Sequence, residues 1–169
     1  MKNVVLIGMP GCGKSTIGVL LAKNLAYDFL DSDLLIQNRA GKKLQQILDE
    51  DGIEAFGKLE NEVNCSIDVE NTVIATGGSA VYWEESMQHL KAIGLVVYLE
   101  TDFDELERRI TNMATRGVVL PEGMTFRDLY EERTKLYEKY ADLTVTSGHE
   151  EIWKNCELIA EAIEAADKA

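Results

Sequence analysis

Val4-Val5-Leu6-Ile7-Gly8-Met9-Pro10-Gly11-Cys12-Gly13-Lys14-Ser15-Thr16 is the stretch that decides the fold. Four consecutive apolar residues, three of them β-branched, read as a strand covered on both faces. Gly8 to Ser15 then fits G-x-x-x-x-G-K-[ST], and Ile17, Leu20, Leu21 and Leu25 follow at helical spacing. A chance match to that pattern in a chain this long has roughly a one per cent probability. Strand, glycine-rich turn and helix in that order make a phosphate-binding loop. Its glycines let consecutive N–H groups face phosphate oxygens, and the helix dipole adds positive potential there. In such a loop Lys14 reaches the β- and γ-phosphates of a nucleoside triphosphate and the Ser15 hydroxyl ligates Mg²⁺. Gly11, Cys12, Gly13 and Thr16 complete the nucleotide-contacting set. Cys12 reads as a small side chain at a variable loop position; the alternative is a redox-sensing thiol at a helix N-terminus.

Outward from the loop, strand-like runs recur at Val73 to Ala75, Leu95 to Leu99 and Leu143 to Val145, with a weaker one at Tyr27 to Leu30. Helical periods occupy Lys14 to Ala26, a pair within Asp33 to Val69, Glu84 to Lys91, Asp102 to Asn112, Thr125 to Ala141 and Glu150 to Ala165. This alternation predicts a five-stranded parallel sheet with helices on both faces, an α/β three-layer fold in one domain over 1–169. The stretch from 113 to 125 has neither period and reads as a mobile lid.

The net charge of −13 repels nucleic acid and anionic membranes. No segment approaches the roughly 20 apolar residues of a membrane span. Cys12, Cys65 and Cys156 are far apart with no CxxC spacing, so neither a zinc site nor a disulfide framework is expected. A cytoplasmic protein with reduced thiols is the reading.

Two carboxylates, Asp31 and Asp33, close the second strand, the edge at which parallel sheets bind ligands. Either one caps the next helix, or one faces a magnesium shell and the other an acceptor hydroxyl. Thr76-Gly77-Gly78-Ser79 closes the third strand with adjacent glycines, which form a plain turn or admit a ligand close to the backbone. Arg116 sits in the lid, where closure would bring its charge onto a transferring phosphoryl group; a solvated loop arginine is the alternative. Arg133 falls within the apolar stripe Phe126, Leu129, Leu136 or Tyr137, and Tyr140, so it needs an anionic partner, a structural acid or a bound carboxylate.

Taken together, GMPGCGKST, Phe29-Leu30-Asp31-Ser32-Asp33, Val73-Ile74-Ala75-Thr76-Gly77-Gly78-Ser79-Ala80-Val81, Thr115-Arg116, and Arg133-Thr134-Lys135-Leu136-Tyr137 with Ala141-Asp142 resemble the shikimate kinase family in order and spacing. The resemblance implies an ATP- and Mg²⁺-dependent phosphotransfer to an alcohol of a small hydroxylated acid, with a helical substrate region near 33–69. It implies Asp31 for magnesium together with Ser15, Asp33 for the substrate hydroxyls and as candidate base, and Lys14 and Arg116 for the phosphoryl charge. It further implies Gly77 and Gly78 for substrate contact through their amides, Arg133 for the substrate carboxylate, and Arg109 on the adenine ring, though Arg108 competes for that role. A monomer or weak dimer is implied as well.

Three positions depart from the family. Ser79 stands where a third glycine is usual, and Gly117-Val118-Val119 follow Arg116 where proline and two leucines are usual. Between Gly52 and Val69, in the stripe Ile53, Phe56, Leu59, Val63 and Ile67, Gly57 occupies the position of a carboxylate-clamping arginine. Lys58 is turned about 100° away and offers no bidentate fork. These departures keep two rival readings open. One is a related kinase for another hydroxylated acid or polyol; the other is a regulatory nucleotide-binding protein that has lost catalysis.

Overall fold

The computed structural model describes residues 3–111, 120–147 and 152–168. Five strands form one parallel sheet in the order β2-β3-β1-β4-β5: β1 Asn3–Ile7, β2 Asp28–Asp31, β3 Thr72–Ala75, β4 Gly94–Glu100 and β5 Leu143–Thr146. The register pairs Val5 with Ile74 on one side and with Val96 on the other. The helices are α1 Lys14–Leu25, α2 Ser32–Ala40, α3 Leu44–Cys65, α4 Glu84–Ile93, α5 Phe103–Thr111, α6 Phe126–Tyr140 and α7 Ile152–Asp167. The alternation read from the sequence is therefore the architecture, and the weak run before Asp31 is the edge strand β2.

β1 is apolar throughout because it is central: Val4, Val5, Leu6 and Ile7 are fully buried between helical layers. At its amino end the Asn3 side chain ties three distant segments together. Its amide donates to the carbonyls of Val69 (2.7 Å) and Ile93 (3.1 Å), and its oxygen accepts from the Thr72 N–H (3.0 Å). At the carboxyl edge of the sheet β1 runs into the glycine-rich loop, β2 passes directly into α2, and β3 ends in the Thr76–Ser79 turn, the edge at which parallel sheets bind ligands.

The main core fills both sides of the sheet, whereas Ile36, Ile47, Phe56 and Val63 make a second, smaller cluster between α2 and α3. The expected helix pair is thus present with its own apolar contacts. One expectation fails within it: Ile53 is 50% exposed and lies outside the inward stripe. Gly52 explains this, since its backbone at φ 86°, ψ 170° breaks α3 and turns the following residue out of phase with Phe56, Val63 and Ile67.

Candidate active site

The phosphate loop is built by conformations that side chains resist. Gly11 and Gly13 hold φ of 84° and 97°, and Gly13 stands at the N-cap of α1 with no side chain capping the helix. The first-turn N–H groups of α1 have no intrahelical acceptor, so they remain free for an anion. Cys12 is fully buried, its carbonyl accepting from the Ser147 hydroxyl at 2.6 Å. Lys14 Nζ donates to the carbonyls of Gly8 (2.7 Å) and Met9 (3.0 Å) and lies 3.7 Å from Cys12 Sγ. The ammonium is thereby held over the loop by the loop itself. Arg109 lies along the same loop, donating from Nη1 to the Gly11 carbonyl (3.1 Å) and from Nε to Glu105 (2.8 Å). Arg108 is exposed and pairs with Glu105, away from the loop. Thr115 and Arg116 lie outside the described residues.

Asp31 caps α2, the first of the two alternatives, and also meets Ser15. One carboxylate oxygen accepts from the Asp33 N–H at 2.9 Å and caps α2, while the other accepts from the Ser15 hydroxyl at 3.3 Å. Ser15 and Asp31 thus present two hard oxygen donors side by side at the mouth of the phosphate loop. This donor set suits a cation that keeps most of its waters and bridges phosphates. Among the described residues no group of three or more His, Cys, Asp or Glu could hold a metal by itself.

Across Gly77 from the loop lie two carboxyl groups. A β-carbon on Gly77 would stand 2.8 Å from Glu60 Oε1 and 2.9 Å from Asp33 Oδ1. Burial, and then the nearby Asp31 charge, raise the Asp33 carboxyl to about 6, against the pull of Lys14. Glu60 is fully buried on α3, and that burial pushes it up to about 7 although the Ser79 hydroxyl bonds it and Arg133 attracts it. Ser79 Oγ stands 3.0 Å and 2.8 Å from the two Glu60 oxygens. The extra side chain at position 79 is therefore spent on Glu60.

Arg133 closes the other side. Only 4% exposed, it packs its guanidinium against Gly78, where a β-carbon would come within 2.9 Å of Nη1. Nε donates to the Tyr82 hydroxyl at 3.4 Å, and that hydroxyl donates to Glu132 at 2.6 Å. Among the described residues no carboxylate pairs with Arg133 directly. Tyr137, its neighbour one turn along α6, fixes the glycine turn by donating to the Gly78 carbonyl at 2.7 Å.

The sequence-predicted residues thus converge from four chain segments on one crevice: Lys14 and Ser15 at one end, Asp33, Gly77, Gly78 and Arg133 at the other. Gly57 lies one helical turn from Glu60, and the space beside it is occupied by the Trp83 indole. Glu60, Tyr82 and Trp83 were not in the predicted set. A buried acid at 60 has no periodic signature apart from its stripe, and the placement of Tyr82 and Trp83 depends on a short 3₁₀ turn, Ala80–Tyr82, that follows β3.

A family model described as shikimate kinase matches residues 10–165. The shikimate kinase of Thermobifida fusca is 39% identical over 164 residues, covering 96% of this chain and 95% of that protein. The shikimate kinase of Clostridium botulinum is 36% identical over 155 residues, covering 89% and 91%. Among solved structures, that of shikimate kinase from Acinetobacter baumannii in complex with shikimate superimposes with a TM-score of 0.87 at 30% identity, covering 98% of this chain and 94% of that one.

Proposed function

This chain belongs to the shikimate kinase family, and from that membership we propose that it transfers the γ-phosphoryl group of ATP to a hydroxyl of shikimate. The observation that carries the acceptor end is Arg133: a buried guanidinium that no carboxylate among the described residues pairs directly, packed against Gly78, next to the Gly77 that Asp33 and Glu60 flank. A buried charge without a directly bonded counter-ion is costly, and an acceptor carboxylate would supply one.

In this reading the nucleotide phosphates take the free N–H groups of α1 and draw Lys14 off the Gly8 and Met9 carbonyls. Asp33 orients the acceptor hydroxyl. As that oxygen bonds to the γ-phosphorus, the bond to the β–γ bridging oxygen breaks, ADP leaves and the hydroxyl proton passes to Asp33. Positioning and charge stabilisation carry most of the rate, so Asp33 matters for direction as much as for basicity. Lys14 and, from outside the described residues, Arg116 balance the charge on the transferring group. Ser15 and Asp31 are the residues that would hold Mg²⁺, which when bound neutralises phosphate charge. Arg109 is the candidate for the adenine face.

The test is ADP release measured against a panel of hydroxylated acids and polyols. Shikimate should turn over at sub-millimolar concentration, and Asp33→Asn should lower kcat by on the order of 10²- to 10⁴-fold with the ATP KM little changed. ATP binding without acceptor-dependent ADP release would instead support the regulatory reading.

A further inference from the structure

Gly57 lies inside the helical part of α3, where glycine costs about 1 kcal/mol relative to alanine. Its backbone is helical, so no turn or positive φ demands glycine there. What demands it is Trp83: a β-carbon at 57 would stand 2.8 Å from Cζ2 of the indole and 3.4 Å from Cε2 and Nε1. The indole rests directly on the α3 backbone.

The backbone of Trp83 is anchored at both its N–H and its carbonyl. Its N–H donates to the Ala80 carbonyl (3.2 Å), closing the 3₁₀ turn, and its own carbonyl accepts from the Met87 N–H (3.0 Å) and the Ser86 hydroxyl (3.1 Å), opening α4. Two residues shortly before it in the chain touch the site. Ser79 bonds Glu60, which lies one turn of α3 from Gly57 and on the same face, and Tyr82 bonds Arg133. Segment 79–83 is therefore interlocked with the site-facing turn of α3.

We propose that Trp83, seated on Gly57, forms the α3-side wall of the acceptor pocket and is a specificity-determining residue for the acceptor. The inference rests on the kinase reading above and deepens it. An aromatic wall between Glu60 and Tyr82 offers a ring-shaped acceptor an apolar face, while its acid is left to Arg133. Such a wall acts on acceptor binding and leaves the ATP end untouched.

The chain has two tryptophans, and Trp153 is 66% exposed on α7, so a Trp153→Phe background isolates the Trp83 signal. In that background, without ATP, shikimate should change the Trp83 fluorescence saturably. Trp83→Ala should raise the acceptor KM roughly tenfold or more with kcat and the ATP KM within about threefold, and Trp83→Phe should recover most of the loss. Gly57→Ala should imitate Trp83→Ala by displacing the indole, and the double variant should be no worse than either single one. Should Trp83→Ala fail to fold, Trp83→Phe and the fluorescence titration still decide. An acceptor KM within twofold of the parent, or no fluorescence response to an acceptor that turns over, would overturn the proposal. If the parent phosphorylates another acceptor and not shikimate, the kinase reading of the acceptor fails instead, and the same titration with that acceptor still tests Trp83.

Discussion

In the proposed reaction Asp33 is ionised to accept or orient a hydroxyl proton, and its carboxyl sits at about 6 because burial and Asp31 disfavour the charge. The acid limb of kcat/KM should therefore fall away as pH drops through about 6 and not near 4, read from a pH–rate profile. Glu60 makes the complementary case for stability. Its folded carboxyl is raised to about 7 from an ordinary 4.5, so below 4.5 it is protonated whether folded or unfolded and costs nothing. Between 4.5 and 7 the unfolded chain ionises while the fold retains its proton, and the penalty builds to its full size above 7. Glu60→Gln, which keeps a partner for Ser79, should accordingly leave Tm unchanged at pH 4 and raise it by on the order of 5 °C at pH 8 in thermal melts. Lys14, Ser15, Asp31 and Asp33 were legible in the sequence because each stands at a fixed offset from a strand end or a loop. The Glu60–Ser79 and Gly57–Trp83 contacts were not, since they join residues 19 and 26 positions apart through the packing of α3 on the segment after β3.

At the scale of elements, period and punctuation sufficed: all five strands and the helices around them fall where apolar runs and 3.6-residue stripes put them. The exception is the middle of α3, where the stripe was drawn through Ile53. A glycine at φ 86° breaks the helix there, and no period records a break of one residue. Gly52→Ala isolates that effect, because a β-carbon at 52 meets nothing within 4 Å. Only the left-handed backbone resists it, and denaturant unfolding should register a loss of about 1 kcal/mol. At the amino end of α6, Thr125 and Asp128 form a capping box, each side chain bonding the other's N–H (3.1 Å and 2.9 Å). Thr125→Ala should cost about 1 kcal/mol by the same measurement. Because α6 carries Arg133 and Tyr137, a modest rise in acceptor KM should accompany that loss.

For the molecule as a whole, the nucleotide should be a large share of its stability. A ligand that binds only the folded state adds about 2.7 kcal/mol at one hundred times its Kd. ADP should thus raise Tm by several degrees in a concentration-dependent way, and Lys14→Ala should abolish most of the shift. The fold class was readable at this scale; the acceptor end was not, since the departures at Gly57 and Ser79 are explained only by their packing, on Trp83 and Glu60. The strand order has a further consequence, during synthesis on the ribosome. Val4 to Ile7 are made well before their hydrogen-bonding partners β3 and β4, at Thr72–Ala75 and Gly94–Glu100, and the Asn3 clasp needs Ile93. At about 5–20 residues per second the most apolar strand waits several seconds without a neighbour, exposed to whatever else is apolar nearby. Nascent chains stalled before residue 72 should be cut freely by protease within their first strand and should engage chaperones, and chains stalled well beyond residue 100 should do neither.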